Sequence, residues 1–268
     1  GGRAIPRAAD PRGGMMKDVQ KQIDGRDVYL NQVGIKDFVV PMEFKTKEGQ
    51  WISTAATVSL FVGLDARQKG THMSRFVDII QHNRRMDLQH VRKILEATKE
   101  KLDSEASFVR MNFEYFIEKE SPVTGIPSFF NIGVEYRGSL VSDDFEFDMK
   151  VTTPVTTLCP CSKEISDYGA HNQRADVSIK VRMKKFLWIE DLVNIAESSA
   201  SSPVYSLLKR PDEKYVTELA YDNPRFVEDV CREAKLRVDK LEGVEEFCIE
   251  VESQESIHNH GAYAMVVG

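Results

Sequence analysis

Apolar and polar residues alternate from Phe38 to Phe44 and again from Trp51 to Val62, with a stretch of turn composition, Lys47-Glu48-Gly49-Gln50, between them. Alternation with period two puts every second side chain on one face of an extended chain, so the two segments predict a hairpin. The spacing then changes. From Ser74 to Gln81 and from Asp87 to Leu102 apolar residues recur at helical intervals, with Leu88, Val91, Leu95 and Leu102 on one face and Lys93, Lys99 and Lys101 largely off it. Two helices are expected here. Ser107 to Ile117 and Ser128 to Leu140 return to the Phe, Val and Tyr content of strands.

The second half repeats this order without repeating the side chains. Phe145 to Thr156 and Ala175 to Met183 read as strands, Trp188 to Ser198 and Arg225 to Lys240 as helices, and Phe247 to Glu252 and Gly261 to Val267 as strands. Helices carried on one face of antiparallel sheets define an α+β class. The expected organisation is a leader over 1–28, a first strand-strand-helix-helix-strand-strand unit over 29–141, and a second over 142–268. Long hairpins with open edges are an aggregation liability unless the edges are paired. The sheets are therefore expected to close by oligomerisation.

Composition narrows the class. A chain of 268 residues with 41% hydrophobic content buries one large core or two of about 100 to 150 residues each. Its four cysteines, Cys159, Cys161, Cys231 and Cys248, are too few for a secreted disulfide scaffold, and Cys231 falls on an apolar helical stripe where a buried free thiol is expected. A reducing, cytoplasmic setting follows. No run of roughly 18 apolar residues exists to span a membrane. The opening Gly1-Gly2-Arg3-Ala4-Ile5-Pro6-Arg7, continuing to Gly14, lacks the apolar core of a signal peptide and reads as a cloning remnant or a disordered leader, with a natural start near Met15 or Met16. A net charge of -6 offers no global attraction for nucleic acid, so an anionic ligand needs a local basic pocket.

The chemistry concentrates in Thr156-Thr157-Leu158-Cys159-Pro160-Cys161-Ser162-Lys163-Glu164, with His171 twelve positions beyond Cys159. One intervening proline disfavours a local disulfide, because bridged cysteines need compatible Cβ vectors. The pair reads either as a chance pairing in a loop or as two free thiols with different tasks. A structural zinc site normally takes four protein ligands, commonly two Cys-x-x-Cys pairs, and no second pair is present. A metal here would keep an open coordination position. Candidate ligands besides Cys159 are His171, His258, His260 and the acids near Arg210-Pro211-Asp212-Glu213-Lys214, a set that suits zinc or a harder ion such as manganese.

Near the C-terminus, Glu255-Ser256-Ile257-His258-Asn259-His260 lies between two strands. It is either a solvated hairpin tip or a working segment. His258 and His260 are two apart, which in an extended chain aims both rings the same way and suits proton transfer at one centre. Glu255 is either a solvent-facing strand end or a carboxylate that accepts two parallel hydrogen bonds, matching the N1 and 2-amino edge of guanine. Lys69, His72 and Arg75 sit in a loop entering a helix, either simply solvated or placed for phosphate.

With these residues in place, the chain resembles GTP cyclohydrolase type IB, the prokaryotic form of the enzyme that opens folate biosynthesis. The resemblance runs from about Asn31 onward. It is carried by Gln32-Val33-Gly34-Ile35-Lys36-Asp37, Gly70-Thr71-His72-Met73-Ser74-Arg75, Thr157-Leu158-Cys159-Pro160-Cys161-Ser162, Gly169-Ala170-His171-Asn172-Gln173-Arg174 and the Glu255 to His260 segment. It implies tandem tunnelling-fold units whose antiparallel sheets close into a barrel in a homotetramer, with active sites at subunit interfaces. It also implies a divalent metal, zinc or manganese, on Cys159, His171 and Glu213, with Glu218 and Glu228 as neighbouring alternatives. By the same resemblance Cys161 is an essential active-site thiol, Glu255 the guanine anchor, and His258 with His260 the proton-transfer groups. The implied reaction takes GTP and water to formate and 7,8-dihydroneopterin triphosphate, for folate or for a modified tRNA base. Two other classes stay open at this stage: the thiol-dependent nitrile reductase of queuosine synthesis, which shares the fold, and a non-catalytic purine- or pterin-binding module.

Overall fold

A computed structural model describes residues 18, 20 and 22–268. Most of the 1–28 leader lies outside the described residues. Its described end is held, because the Asp24 amide donates to the Arg67 carbonyl at 2.8 Å and Ile23 bridges Gln68.

The first half contains β1 (Leu30–Lys45), β2 (Trp51–Leu64), α1 (Met73–His82), a short β3 (Arg85–Met86), α2 (Leu88–Leu102), β4 (Ala106–Glu120) and β5 (Pro127–Val141). The β1–β2 hairpin closes where the alternation breaks. Gly49 takes φ 86°, a left-handed conformation that glycine adopts without a Cβ penalty, and the Thr46 amide donates to the Gln50 carbonyl at 2.8 Å. The start of α2 is set by Asp87, whose carboxylate accepts the His90 amide at 3.0 Å. Val91, Leu95 and Leu102 then face the core, as their spacing predicts, together with Ile94, while Leu88 is half-buried.

The second half contains β6 (Asp144–Leu158), α3 (Pro160–Ile165), β7 (Asn172–Met183), α4 (Ile189–Ser199), a short β8 (Ser202–Pro203), α5 (Arg210–Asp222), α6 (Val227–Val238), β9 (Val244–Ser253) and β10 (Ala262–Val267). It is therefore not a plain copy of the first. Two helices, α3 and α5, are additions that the apolar spacing does not announce, and they carry Cys161 and Glu213.

One continuous sheet, antiparallel except where the two-residue β3 runs parallel to β1, carries both halves. Its order is β10-β9-β7-β6-β5-β4-β2-β1, with β3 beside β1 and β8 beside β6. Read from β1, the strands follow chain order, β1, β2, β4 and β5 from the first half and then β6, β7, β9 and β10 from the second. The expected boundary at 141/142 falls in a two-residue hairpin turn, where Val141 pairs with Asp144 and Ser142 adopts φ 52°.

Helices α1, α2, α4 and α6 pack their apolar sides into one core on one face of the sheet. There Phe44 stacks on Phe113 with ring centroids 3.6 Å apart, and Tyr136 meets both Phe113 and Phe147 edge-on. Burial of each such ring stabilises the fold by about 1.5 to 3 kcal/mol. Cys231 lies in this core, 4% exposed. The uncovered face is polar. Arg110 pairs with Glu135 and Lys180 and Arg182 with Asp148 across neighbouring strands, and Lys150 reaches over β7 to Glu250 on β9.

The halves are also tied on the helical side. The Tyr115 hydroxyl donates to Glu190 at 2.5 Å, Lys119 pairs with Glu197, and buried Asp212 accepts from the β4–β5 turn. These ties fix α4 and α5, and through them the end of the sheet where the chemistry lies.

Candidate active site

At the end of β6 the ladder with β7 runs out at Leu158↔Asn172, and the next pair is Cys159 with His171. The Cys159 amide donates to the His171 carbonyl at 3.1 Å. Pro160 then opens α3 at a position where a missing N–H costs nothing. Ser162 staples the turn. Its amide donates to Cys159 Sγ at 3.4 Å, its hydroxyl donates to the Cys159 carbonyl at 3.2 Å, and the same hydroxyl accepts the His171 amide at 3.2 Å. Cys159 is thereby half-buried at the helix start, while Cys161, two residues on, is exposed. The two thiols therefore have different surroundings. Lys163 takes no part, since its ammonium donates to the Tyr221 carbonyl at 2.5 Å and secures α3 to the end of α5.

His171 is held by its ring as well as its backbone. Nδ1 lies 2.9 Å from Gln173 Oε1, and Gln173 Nε2 donates to Thr157 Oγ1 at 3.1 Å. On the other side, β9 and β10 are in register from Ser253↔Ala262, so residues 254–261 form the connection between them. That connection is bent, not extended as expected, yet the expected ring alignment survives. The His258 and His260 rings stack with centroids 5.2 Å apart and planes 15° apart. Glu255 is oriented by the fully buried Ser253, whose hydroxyl donates to Oε1 at 2.6 Å.

These groups share one cleft of about 310 Å³. Cys159, Cys161, His171, Glu255, His258 and His260 all line it, so the structure brings together residues from three separate stretches of sequence. It adds Thr157, Gln173 and Arg225, which motif reasoning gave no role, and Glu228, expected only as an alternative metal carboxylate. Arg225 reaches the cleft because its amide donates to the Leu158 carbonyl at 3.0 Å, pinning the turn into α6 against the end of β6. Thr157 and Gln173 were visible within the quoted motifs and Glu228 as a neighbouring acid; Arg225 lacked any local signal.

Other expected residues lie elsewhere. Glu213 and Glu218 are exposed on α5 and are not among the residues lining the cleft, whereas Glu228, in the first turn of α6, is. Lys69, His72 and Arg75 sit before and at the start of α1, also away from the cleft. There Lys69 donates to Gln22 Oε1 at 3.1 Å, His72 Nε2 lies 3.3 Å from Asp18, and Arg75 donates to the Lys101 carbonyl at 3.0 Å.

The donor set bears on a divalent ion. A sulfur and an imidazole on neighbouring chain ends suit zinc and ions like it. The carboxylate is not gathered to them, and among the described residues no group of three His, Cys, Asp or Glu side chains is close enough to hold a metal. The thiol and imidazole fit; the third position is open.

The fold places the chain among α+β proteins built on one large antiparallel sheet, and it is similar to uricases. A uricase from Bacillus fastidious superposes with a TM-score of 0.53 at 10% identity, covering 91% of this chain and 94% of that one. The uricase of Arthrobacter globiformis gives 0.50 at 7% identity, covering 89% and 92%. At such identities the likeness defines a tunnelling-fold-like class and nothing about activity.

Sequence supplies the rest. The model of the family described as type I GTP cyclohydrolase FolE2 matches residues 16–264. A GTP cyclohydrolase FolE2 of Caldicellulosiruptor bescii is 49% identical over 255 residues, covering 94% of this chain and 98% of its own length. One of Fervidobacterium nodosum is 45% identical over 251 residues, covering 93% and 96%. The chain belongs to the type I GTP cyclohydrolase FolE2 family. No helix among the described residues is long and apolar enough to cross a membrane.

Proposed function

We propose that the protein is the GTP cyclohydrolase its family membership indicates, converting GTP and water to formate and 7,8-dihydroneopterin triphosphate. The observation that carries this reading is the convergence of Cys159, Cys161, His171, Glu255, His258 and His260 on one cleft. That convergence favours the cyclohydrolase over a nitrile reductase, which has no use for the paired histidines or for a thiol and imidazole placed side by side. It also favours an enzyme over a purine- or pterin-binding module.

In this reading Glu255 holds the guanine edge. Ser253 occupies one lone pair of Oε1, which leaves the carboxylate able to accept from both N1–H and the 2-amino group. The stacked His258 and His260 carry protons to and from the purine imidazole ring as it opens, a contribution on the order of 10²- to 10⁴-fold. Cys161, exposed to the cleft, contacts the reacting carbon side of the ring. Cys159 and His171 would hold a divalent ion, zinc or manganese, with Glu213 as the carboxylate the family resemblance implies and Glu218 or Glu228 as alternatives. When bound, such an ion supplies Lewis acidity and a water of lowered pKa.

The triphosphate is assigned to Lys69, His72 and Arg75. They do not reach the cleft of their own chain, which is consistent with a homotetramer whose sites form between subunits and whose sheets close into a barrel around the polar face. A cytoplasmic location accords with free thiols at the site. The test is incubation with GTP and zinc or manganese, following pterin fluorescence and formate. Product formation that a chelator abolishes supports the reading; no formate with either metal defeats it.

A further inference from the structure

We propose that Gln173 is a positioning residue that fixes the tautomer of His171, so that Nδ1 carries the proton and Nε2 offers its lone pair to the cleft. Thr157 and Gln173 are directly paired residues of β6 and β7, so their side chains leave the same face of the sheet. Thr157 is 1% exposed, and its hydroxyl accepts from the glutamine Nε2 at 3.1 Å. Anchored there by Nε2, the amide turns Oε1 toward His171 Nδ1 at 2.9 Å. An amide oxygen only accepts, so Nδ1 must donate. The other neighbour of Nδ1, the Ser256 hydroxyl, is 3.4 Å away and is the weaker partner.

The consequence is chemical. A neutral imidazole has one donor and one acceptor nitrogen, and only the acceptor binds a cation or takes a proton. With the amide reversed, Nδ1 would accept and an Nε2–H would point into the cleft, where it could hold neither. An outer partner of this kind orients a ligating histidine in many metal sites, and its loss costs about 10- to 100-fold in metal affinity. The inference rests on the cyclohydrolase reading for the use made of Nε2, while the tautomer itself stands on hydrogen bonding alone.

The test uses the full chain with nitrogen-15 in its histidines, at a pH where the ring is neutral, the His171 signals being those missing from a His171→Gln spectrum. The expected spectrum shows Nδ1 protonated. Gln173→Leu should mix or reverse the tautomer and weaken cobalt(II) binding about 10- to 100-fold with thermal unfolding little changed. Gln173→Glu, which keeps an acceptor in place, should restore both. An Nε2–H in the wild type, or an unaltered tautomer in Gln173→Leu, overturns the proposal. If Gln173→Leu does not fold, the wild-type and Gln173→Glu spectra still decide it. Should cobalt(II) fail to bind the wild type, the metal reading fails and the tautomer alone decides this one.

Discussion

Asp212, at the start of α5, and Thr124, in the turn between β4 and β5, are locked together although 88 positions apart: Oδ1 accepts the Thr124 amide at 2.8 Å and Oδ2 the Thr124 hydroxyl at 2.7 Å. The Val123 amide at 2.8 Å and the Lys209 amide at 2.9 Å complete the set around a carboxylate with no exposed surface. A turn of the first half thus latches the helix that carries Glu213 in the second.

This latch sets an acid limit on stability. Burial pushes the Asp212 carboxyl up, but hydrogen bonds from the Thr124 hydroxyl and the Lys209, Thr124 and Val123 amides outweigh it and hold it at about 2, against an ordinary 3.8. A depressed carboxyl contributes its full stability above the unfolded value and loses it as pH falls through the folded one. The unfolding midpoint should therefore drop between pH 3.8 and about 2. Asp212→Asn should be less stable at neutral pH and lose less across that window. Parallel acid limbs for the two proteins would count against the latch.

The thiols should separate by function. Cys159→Ala is expected to lose bound metal, whereas Cys161→Ala keeps it and loses turnover. Metal content by elemental analysis and formate release by coupled assay, run on the same preparations, distinguish the two. Full activity in either variant contradicts the roles assigned.

Glu255 and the histidine pair should split binding from chemistry. Glu255→Gln removes an acceptor for guanine N1–H and should raise KM for GTP more than it lowers kcat. His258→Asn or His260→Asn should lower kcat on the order of 10²- to 10⁴-fold with a smaller change in KM. Steady-state kinetics decide this, and an equal KM effect in all three variants would remove the distinction.

The Lys119–Glu197 pair tests how the halves are joined. Both side chains are about one-seventh exposed, and the ammonium also donates to the Val204 carbonyl at 2.7 Å and lies 4.0 Å from the Tyr205 ring centroid. Burial lowers the Lys119 pKa and Glu197 opposes that shift. Lys119→Met should cost about 3 kcal/mol by stranding the carboxylate, and adding Glu197→Leu should recover part of it. Urea denaturation at fixed protein concentration measures both. Strictly additive losses would show the pair to be uncoupled.

The hairpins and α2 were legible in the chain because a side chain's direction follows from its own backbone period, so Val91, Leu95 and Leu102 declare their shared face without reference to anything distant. The Cys159, His171 and Glu255 motifs were legible as chemistry for a similar reason, since thiol, imidazole and carboxylate carry their reactivity with them. Neither α3 nor α5 had such a signal. The first is too short for a period, and the second buries only Asp212 and Ala220, so no apolar stripe marks it. Its place depends on the β4–β5 turn, and the cleft depends on β6, β7, α6 and the β9–β10 connection arriving at one end of the sheet. Pairing between remote residues is set by register and packing of the whole chain, which no local window contains. That is why the entry of Arg225 into the cleft and the exclusion of Lys69, His72 and Arg75 from it emerged with the folded sheet and not before it.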